Sequence, residues 1–320
     1  MGIKNRKVVI ALGGNALQEP GSPSTAEAQL AVVRKTCSYL AELNAEGYEM
    51  TIVHGNGPQV GRLALSQSIA ETENSDLPAM PFDVCNAMTQ GYIGYQIQQC
   101  LRDALRRRKR DVPVVTLITQ VVVDKNDTAF QNPTKPIGPF YTKEEADIIS
   151  QEKGFSMKED SGRGWRRLIA SPEPKKIIEL DSIKRLCDST IVILAGGGGI
   201  PVIENSDGSL SGIAAVIDKD LSADCFAEAI EADVFLILTG VDRVCINFGK
   251  PNQRELDYIT VDEAKEYMEQ GHFPPGSMLP KIMAGIRFAT KFPGKRTIIT
   301  SLYKALDALE GKAGTEITMK

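Results

Sequence analysis

A chain of 320 residues, 42% hydrophobic and 24% charged, has room for a large core and none of the bias that marks disorder. Its 37 Lys and Arg against 41 Asp and Glu leave a formal charge of −4, which excludes a global pull toward nucleic acid or an anionic membrane. Any anion site must therefore be local. The six cysteines, Cys37, Cys85, Cys100, Cys187, Cys225 and Cys245, form no CxxC pair and fit reduced thiols in a cytoplasmic protein better than a disulfide frame or a zinc site. The opening run MGIKNRKVVIAL is too short in apolar residues for a signal peptide, and no stretch approaches the about 18 apolar residues of a membrane span.

The first element is VVIALGGNA, from Val8 to Ala16. Four consecutive apolar residues running into two glycines predict a buried parallel strand that ends in a tight turn. Gly13 and Gly14 let the main chain approach a ligand closely, and Asn15 offers a neutral side-chain donor, so the turn suits an oxyanion. The helix-prone stretch from Ser24 could add its N-terminal dipole, although a glycine pair after a strand is equally a plain turn. Ala26–Glu46 carries Leu30, Val33, Leu40 and Leu43 at helical spacing, with Gly47 as a stop. Tyr48–Val53 is a second strand and runs into His54-Gly55-Asn56-Gly57-Pro58-Gln59, another glycine-rich exit. In a doubly wound sheet both turns fall on the C-terminal edge, with Asn56 facing Gly13 to Asn15 across a crevice. His54 is either a general base or a packed strand-end residue, and phosphoryl chemistry needs no base.

Phe82–Lys109 reads as one long helix, and its basic end, Arg106 to Arg110, is either an RNA contact or a solvated helix terminus, where cations are favoured. Val112–Val123 reads as one strand. From Asp124 to Glu173 the composition shifts to Pro, Gly and charge with a single helix, opened by the capping box Thr142-x-x-Glu145, which describes an inserted subdomain or flap. Within it Asn132–Tyr141 is proline-stiffened and holds Lys135, a lysine that could swing over the crevice or simply face solvent. Thr190–Ala195 is a strand ending in Gly196-Gly197-Gly198-Gly199, and a third glycine-rich exit makes an anion site the better reading. Asn205–Ser209 is a hairpin tip. Ala214–Asp220 leads into an amphipathic helix with Lys219 and Asp220 at its start. Asp220 either caps that helix, orients nearby lysines, or does both. Asp233–Leu238 is a strand followed by Thr239-Gly240-Val241-Asp242, and Cys245–Leu256 is a polar loop suited to covering a nucleotide. Thr260-x-x-Glu263 caps a helix that stops at Gly271, Gly276–Ile282 places Lys281 and Pro280 at a helix start, and Arg296–Thr300 is the last strand.

The alternation predicts an open, mostly parallel α/β sheet sandwiched by helices, one domain over residues 1–320 with 124–173 protruding from it, and a crevice for a phosphorylated ligand. No GxxxxGK[ST], HRD, DFG or GxGxxG occurs. The segments ALGGNAL, HGNGPQVG, GGGGIPV, AVIDKDLSAD, TGVDRV and GSMLPKI, in this order over essentially the whole chain, resemble the amino-acid kinase superfamily and, within it, the carbamate kinases. Superfamily members acting on acetylglutamate, aspartate or uridylate usually carry a lysine two residues before the first glycine, where this chain has Ala11. Carbamate kinases similarly lack it and are thought to use a lysine from a protruding subdomain, which corresponds to Lys135.

The resemblance implies phosphoryl transfer between carbamoyl phosphate and ADP, giving ATP and carbamate, in fermentative arginine and citrulline breakdown by a cytoplasmic homodimer. By the same resemblance Gly13, Gly14, Asn15, Gly197 and Gly198 hold the phosphoryl or carbamate group, with Gly55, Asn56 and Gly57 at the carbamoyl end. Lys135 and Lys281 flank the moving group, Lys219 meets nucleotide phosphates, and Asp220 orients the lysines. Thr239, Gly240, Val241, Asp242, Val244 and Met278 are placed against the nucleotide. Magnesium is expected to arrive with ADP or ATP, because no carboxylate cluster promises a preformed cage. Another superfamily activity on an acyl or nucleotide substrate, or a non-catalytic nucleotide sensor, are the alternatives on the same fold.

Overall fold

The structure, a computed structural model, describes residues 6–19, 21–160 and 162–319, so the first five residues of the opening run lie outside it. Strand β1 (Arg6–Leu12), buried from Val8 onward, leaves through a single 3-10 turn at Gly14–Ala16. Helix α1 (Ala26–Ala45) begins where the Thr25 hydroxyl accepts the Ala28 N–H, and the chain turns at Gly47 in a left-handed conformation. After β2 (Tyr48–His54) the expected turn passes at once into α2 (Gly57–Glu73), a helix whose glycine-rich start hides it in the sequence. Helix α3 (Phe82–Arg107) ends at the basic run.

The single strand expected over residues 112–123 is instead two, β3 (Val114–Thr116) and β4 (Gln120–Val122), in different sheets. The cause is Gln90 of α3, whose side-chain oxygen accepts the Thr119 N–H at 3.0 Å while its NH2 donates to the carbonyls of Thr119 (3.2 Å) and Gly196 (3.1 Å). An amide side chain thus takes up the Thr119 N–H at the point where the chain leaves the first sheet, while the Thr119 carbonyl also accepts the Ile200 N–H at 2.8 Å and opens the ladder of the second.

The stretch 124–173, expected as an insertion, carries β5 (Lys135–Tyr141), α4 (Lys143–Lys153), β6 (Met157–Glu159) and β7 (Trp165–Ile169), the strands forming an antiparallel sheet of their own in the order β5-β7-β6. Its helix has the expected reciprocal capping box between Thr142 and Glu145. The main chain resumes with β8 (Lys176–Ile177), α5 (Leu180–Cys187) and β9 (Ile191–Leu194). The glycine run follows, and β10 (Ile200–Glu204) and β11 (Leu210–Gly212) pair around the expected hairpin tip. Helix α6 (Lys219–Ala229) leads to β12 (Val234–Thr239), and the segment expected as a nucleotide-covering loop is an antiparallel hairpin, β13 (Val244–Ile246) with β14 (Arg254–Leu256). Then come β15 (Tyr258–Thr260), α7 (Val261–Glu269), α8 (Met278–Lys291), β16 (Arg296–Ser301), α9 (Ala305–Leu309) and β17 (Thr315–Thr318). The strand expected to be last, β16, is therefore followed by another, which turns back antiparallel beside it.

The central sheet has the order β15-β17-β16-β12-β1-β2-β9-β3, with β16–β17 its one antiparallel pair among the described residues. Alternate residues face opposite sides. Val9, Ala11, Phe235 and Ile237 pack with Phe226 and Phe288 of α6 and α8, while Val8, Ile10, Ile52 and Leu236 pack with Leu40, Ile97 and Leu101 of α1 and α3. Each fully buried Phe stabilises by about 1.5–3 kcal/mol, so truncating Phe235 to Ala would cost about 3–5 kcal/mol. Two features position the site. Strands β12, β1 and β2 are neighbours, so their C-terminal turns open side by side. Helix α2 also meets β5 backbone to backbone, since a Cβ on Gly61 would lie 2.0 Å from the Gly138 nitrogen, and this contact brings the start of β5 over the same edge.

Candidate active site

At that edge lies a cleft of about 790 Å³, a size ordinary for a site that engulfs a small ligand. It is lined by the turns after β1, β2 and β12, the first turn of α6, the segment leading into α8, and residues of the insertion. The β1 turn is held by the Gly13 N–H donating to the Leu238 carbonyl at 3.0 Å. The glycine run after β9 tucks beneath Asn56. Gly197 stands at φ +70°, where a Cβ would be 2.2 Å from Asn56 Oδ1, so only glycine fits. Asn56 is 1% exposed; its Nδ2 donates to Asn86 Oδ1 (3.0 Å) and Thr89 Oγ1 (2.8 Å), and its Oδ1 has no partner among the described residues. Such a buried acceptor offers a place for an N–H of a ligand.

The charged groups converge at the start of α6. Asp220, 2% exposed, accepts from Lys219 Nζ on one oxygen and from Lys281 Nζ of α8 on the other, each at 2.7 Å. The helix is capped by Asp218, whose Oδ1 accepts the Asp220 N–H at 2.9 Å and whose other oxygen accepts from Lys135 at the head of β5. Capping, one of the readings of Asp220, is thus taken over by its neighbour, and each Asp220 oxygen instead holds one lysine. Asp218 is the residue sequence reasoning missed. Its signal was present in Asp-Lys-Asp before an amphipathic helix, where the first Asp is as good a cap as the second.

Electrostatics follow from this packing. Burial opposes ionisation of Asp218, but Lys135, Lys219 and Lys281 outweigh it and hold the carboxyl well below the usual carboxylate range. Burial likewise opposes ionisation of Asp220, and Lys219 and Lys281 again prevail, so it too is lowered. The two lysines on Asp220 diverge. Burial pushes Lys219 down to about 8, with the Lys281 charge adding to the effect against the pull of Asp220, whereas Lys281, also opposed by burial, is raised by Asp220 and Asp218. Lys219 is thus the lysine of this site whose charge burial weakens, and Lys281 the one whose charge the two carboxylates secure.

Of the residues singled out in the sequence, Gly13, Gly14, Asn15, Gly55, Asn56, Gly57, Lys135, Gly197, Lys219, Asp220, Thr239, Gly240, Met278 and Lys281 line this one cleft. Gly198 does not. It is buried against Ile217, and its carbonyl accepts from the Ser222 hydroxyl at 2.6 Å. Val241, Asp242 and Val244 also lie outside the lining, Val244 being fully buried in β13, and so does the β13–β14 hairpin. His54 is buried behind the cleft with Nδ1 3.0 Å from the Gly55 carbonyl, and burial pushes it down to about 4, so it packs as a neutral ring. The insertion adds Lys158, Arg163 and Arg166 to the lining, cations the sequence reading did not single out. Among the described residues no group of three or more His, Cys, Asp or Glu could hold a metal ion, and Asp218 and Asp220 are engaged by lysines. The donor set therefore does not fit a resident metal. What the arrangement can do is surround a transferring anionic group with ammonium donors in a partly desolvated cleft.

The profile of the Amino acid kinase family matches residues 6–301. The chain is 51% identical to the carbamate kinase of Clostridium perfringens over 312 residues, covering 97% of this chain and 99% of that protein. It is 50% identical to the carbamate kinase of Pyrococcus furiosus over 313 residues, covering 98% and 99%. Among solved structures it is similar to carbamate kinase from Giardia lamblia bound to AMP-PNP, with a TM-score of 0.88 and 41% identity over 98% of each chain. With the sheet, the paired lysines and these full-length relatives in agreement, the chain belongs to the amino acid kinase family and, within it, to the carbamate kinase phosphotransferases.

Proposed function

We propose that this enzyme moves a phosphoryl group reversibly between carbamoyl phosphate and ADP, giving ATP and carbamate, which decays to ammonia and carbon dioxide. The observation that carries the reading is the meeting of Lys135, Lys219 and Lys281 on two adjacent carboxylates beside bare strand-exit amides. ADP brings an anionic oxygen nucleophile and carbamate is a competent leaving group, so the protein has little proton chemistry to do. It must align the two substrates in line and neutralise charge on the equatorial oxygens. Each lysine spends one N–H on Asp218 or Asp220 and keeps two for phosphate oxygens. Lys135 and Lys281 flank the group in flight, Lys219 meets the nucleotide phosphates, and the turns at Gly13–Asn15 and Gly55–Gly57 hold the carbamoyl end. Magnesium enters as part of the nucleotide substrate.

The remaining features of the reading rest on the family likeness and on a few local observations. Residues 124–173 act as a protruding subdomain on a single domain spanning 1–320. The enzyme works as a cytoplasmic homodimer in fermentative arginine and citrulline breakdown. The dimer is supported by an apolar stripe at helical spacing on α3, where Val84, Met88, Tyr92 and Tyr95 are 37%, 42%, 37% and 61% exposed. No helix among the described residues is long and apolar enough to cross a membrane.

The test is ATP formation from carbamoyl phosphate and ADP in a coupled assay, with acetylglutamate and UMP offered alongside ATP in parallel. Turnover only with carbamoyl phosphate and ADP is expected. Turnover with acetylglutamate or UMP instead, or ADP binding without turnover, would overturn the reading.

A further inference from the structure

Asp218 has a chemistry that capping does not explain. As N-cap of α6 it accepts the Asp220 N–H at 2.9 Å, a task Asn or Ser performs equally well. Its charge is the costly part, because the residue is 7% exposed and a buried carboxylate is tolerated only where cations and donors face it. The charged groups that face it are Lys135 from the insertion, Lys219 and Lys281, together with the like charge of Asp220. Lys219 and Lys281 are already held by Asp220. Lys135 has no other ion-pair partner among the described residues, and it stands at the first residue of β5, where one ladder partner, Ile169, is all the sheet provides.

We infer that Asp218 is the positioning residue for Lys135: it ties the amine delivered by the insertion to the rigid first turn of α6 and so fixes where that amine stands relative to the group in transfer. The contact is one hydrogen bond of three, so Lys135 reaches a phosphoryl oxygen without leaving Asp218. One short segment, Asp218-Lys219-Asp220, then sets all three amines, two through Asp220 and the third through Asp218. This rests on the phosphoryl-transfer reading above, in which Lys135 meets the moving group.

The experiment is a double-mutant cycle on the full chain, following ATP formation from carbamoyl phosphate and ADP. Asp218→Asn keeps the cap and removes the charge; Asp218→Ser serves as a second capping variant should the first misfold. The expected result is a kcat lowered about tenfold to a hundredfold by Asp218→Asn, with KM for ADP changed by less than about threefold, because a misplaced amine is felt mostly in the transition state. The cycle should be strongly non-additive: Asp218→Asn slows Lys135→Ala far less than it slows the unsubstituted enzyme, since the amine it positions is already gone and only its through-space effect on Lys219 and Lys281 is left. Losses that multiply would overturn the inference about Asp218 while leaving Lys135 in its role. A Lys135→Ala enzyme with undiminished kcat would instead sink the reading of Lys135 itself, and the inference with it.

Discussion

Affinity for ADP should fall as the pH rises through about 8, because Lys219 surrenders its proton there. The perturbation is pH alone. Below 8 the amine is an ammonium and attracts the nucleotide phosphates; above it the unliganded enzyme is neutral at that position, and ADP must recover a proton to bind well. Apparent affinity should then weaken toward tenfold for each pH unit, about 1.4 kcal/mol, for as long as the liganded lysine stays protonated. If bound phosphate returns Lys219 from about 8 to the ordinary 10.5 of a lysine, the effect spans about 2.5 pH units, with a ceiling of about 3.4 kcal/mol or roughly 300-fold. The second ionisation of the nucleotide phosphate, near about 6, is complete before this window opens. Lys281, held above its usual value by Asp220 and Asp218 despite burial, stays charged throughout.

Calorimetric titration of ADP between pH 7 and 10, in two buffers of different ionisation enthalpy, reads both the dissociation constant and the protons taken up. Weakening that begins near pH 8, with proton uptake on binding above it, is the expected pattern. Lys219→Met should bind more weakly at pH 7 and lose the slope. An affinity that is level to pH 10 with no proton uptake, or a slope that survives in Lys219→Met, would refute the argument.

Asp220→Asn strips the carboxylate from two ammonium groups whose side chains are only 11% and 12% exposed, so it should destabilise by about 3–5 kcal/mol and lower kcat by about a hundredfold or more. Both lysines are then depressed in the folded state, so stability should rise again as pH climbs toward their unfolded value while activity does not; thermal denaturation at pH 7 and 9 checks the sign. His54→Gln replaces a ring that is already neutral, burial having brought it to about 4. Its kcat should fall less than about tenfold, with no inflection near the ordinary histidine value, whereas a lost general base would cost about a hundredfold or more. Asp224 of α6 is buried with an oxygen that lacks a partner among the described residues, and burial, reinforced by Glu228, pushes it up to about 8. A carboxyl raised in the fold stabilises fully below its unfolded value of 3.8 and loses that contribution as pH climbs to about 8. Asp224→Asn should therefore raise the melting temperature at pH 7, by an amount matching up to about 4 kcal/mol, and flatten its dependence on pH between those limits. A lower melting temperature would mean that the carboxylate has a charged partner in solution.

What could be read from the sequence divides along the range of the contacts involved. The capping boxes at Thr142 and Thr260, the Gly47 and Gly271 stops and the Asn205–Ser209 hairpin tip are settled within a few residues, and each stands where local chemistry puts it. The break between β3 and β4 depends on Gln90, far upstream on α3, and no period in residues 112–123 could announce it. Asp218 and Asp220 flank one lysine, and a helix rule alone cannot say which caps. The extended backbone of Asp218, φ −69° and ψ 125°, decides, and the loser of that competition is the residue left to grip Lys219 and Lys281. Lys281 arrives from α8 and Lys135 from the insertion, so their meeting at α6 is written in no single segment. It follows from the strand order β12-β1-β2, which sets the exits at Gly13, Gly55 and Gly240 side by side, and from the Gly61–Gly138 contact, which lays β5 across them. A bulkier residue at Gly61 would lift β5 and move Lys135 with it, leaving the Lys219–Asp220–Lys281 grip intact. The site is thus two pieces joined at one carboxylate, and Asp218 is where the joint is made.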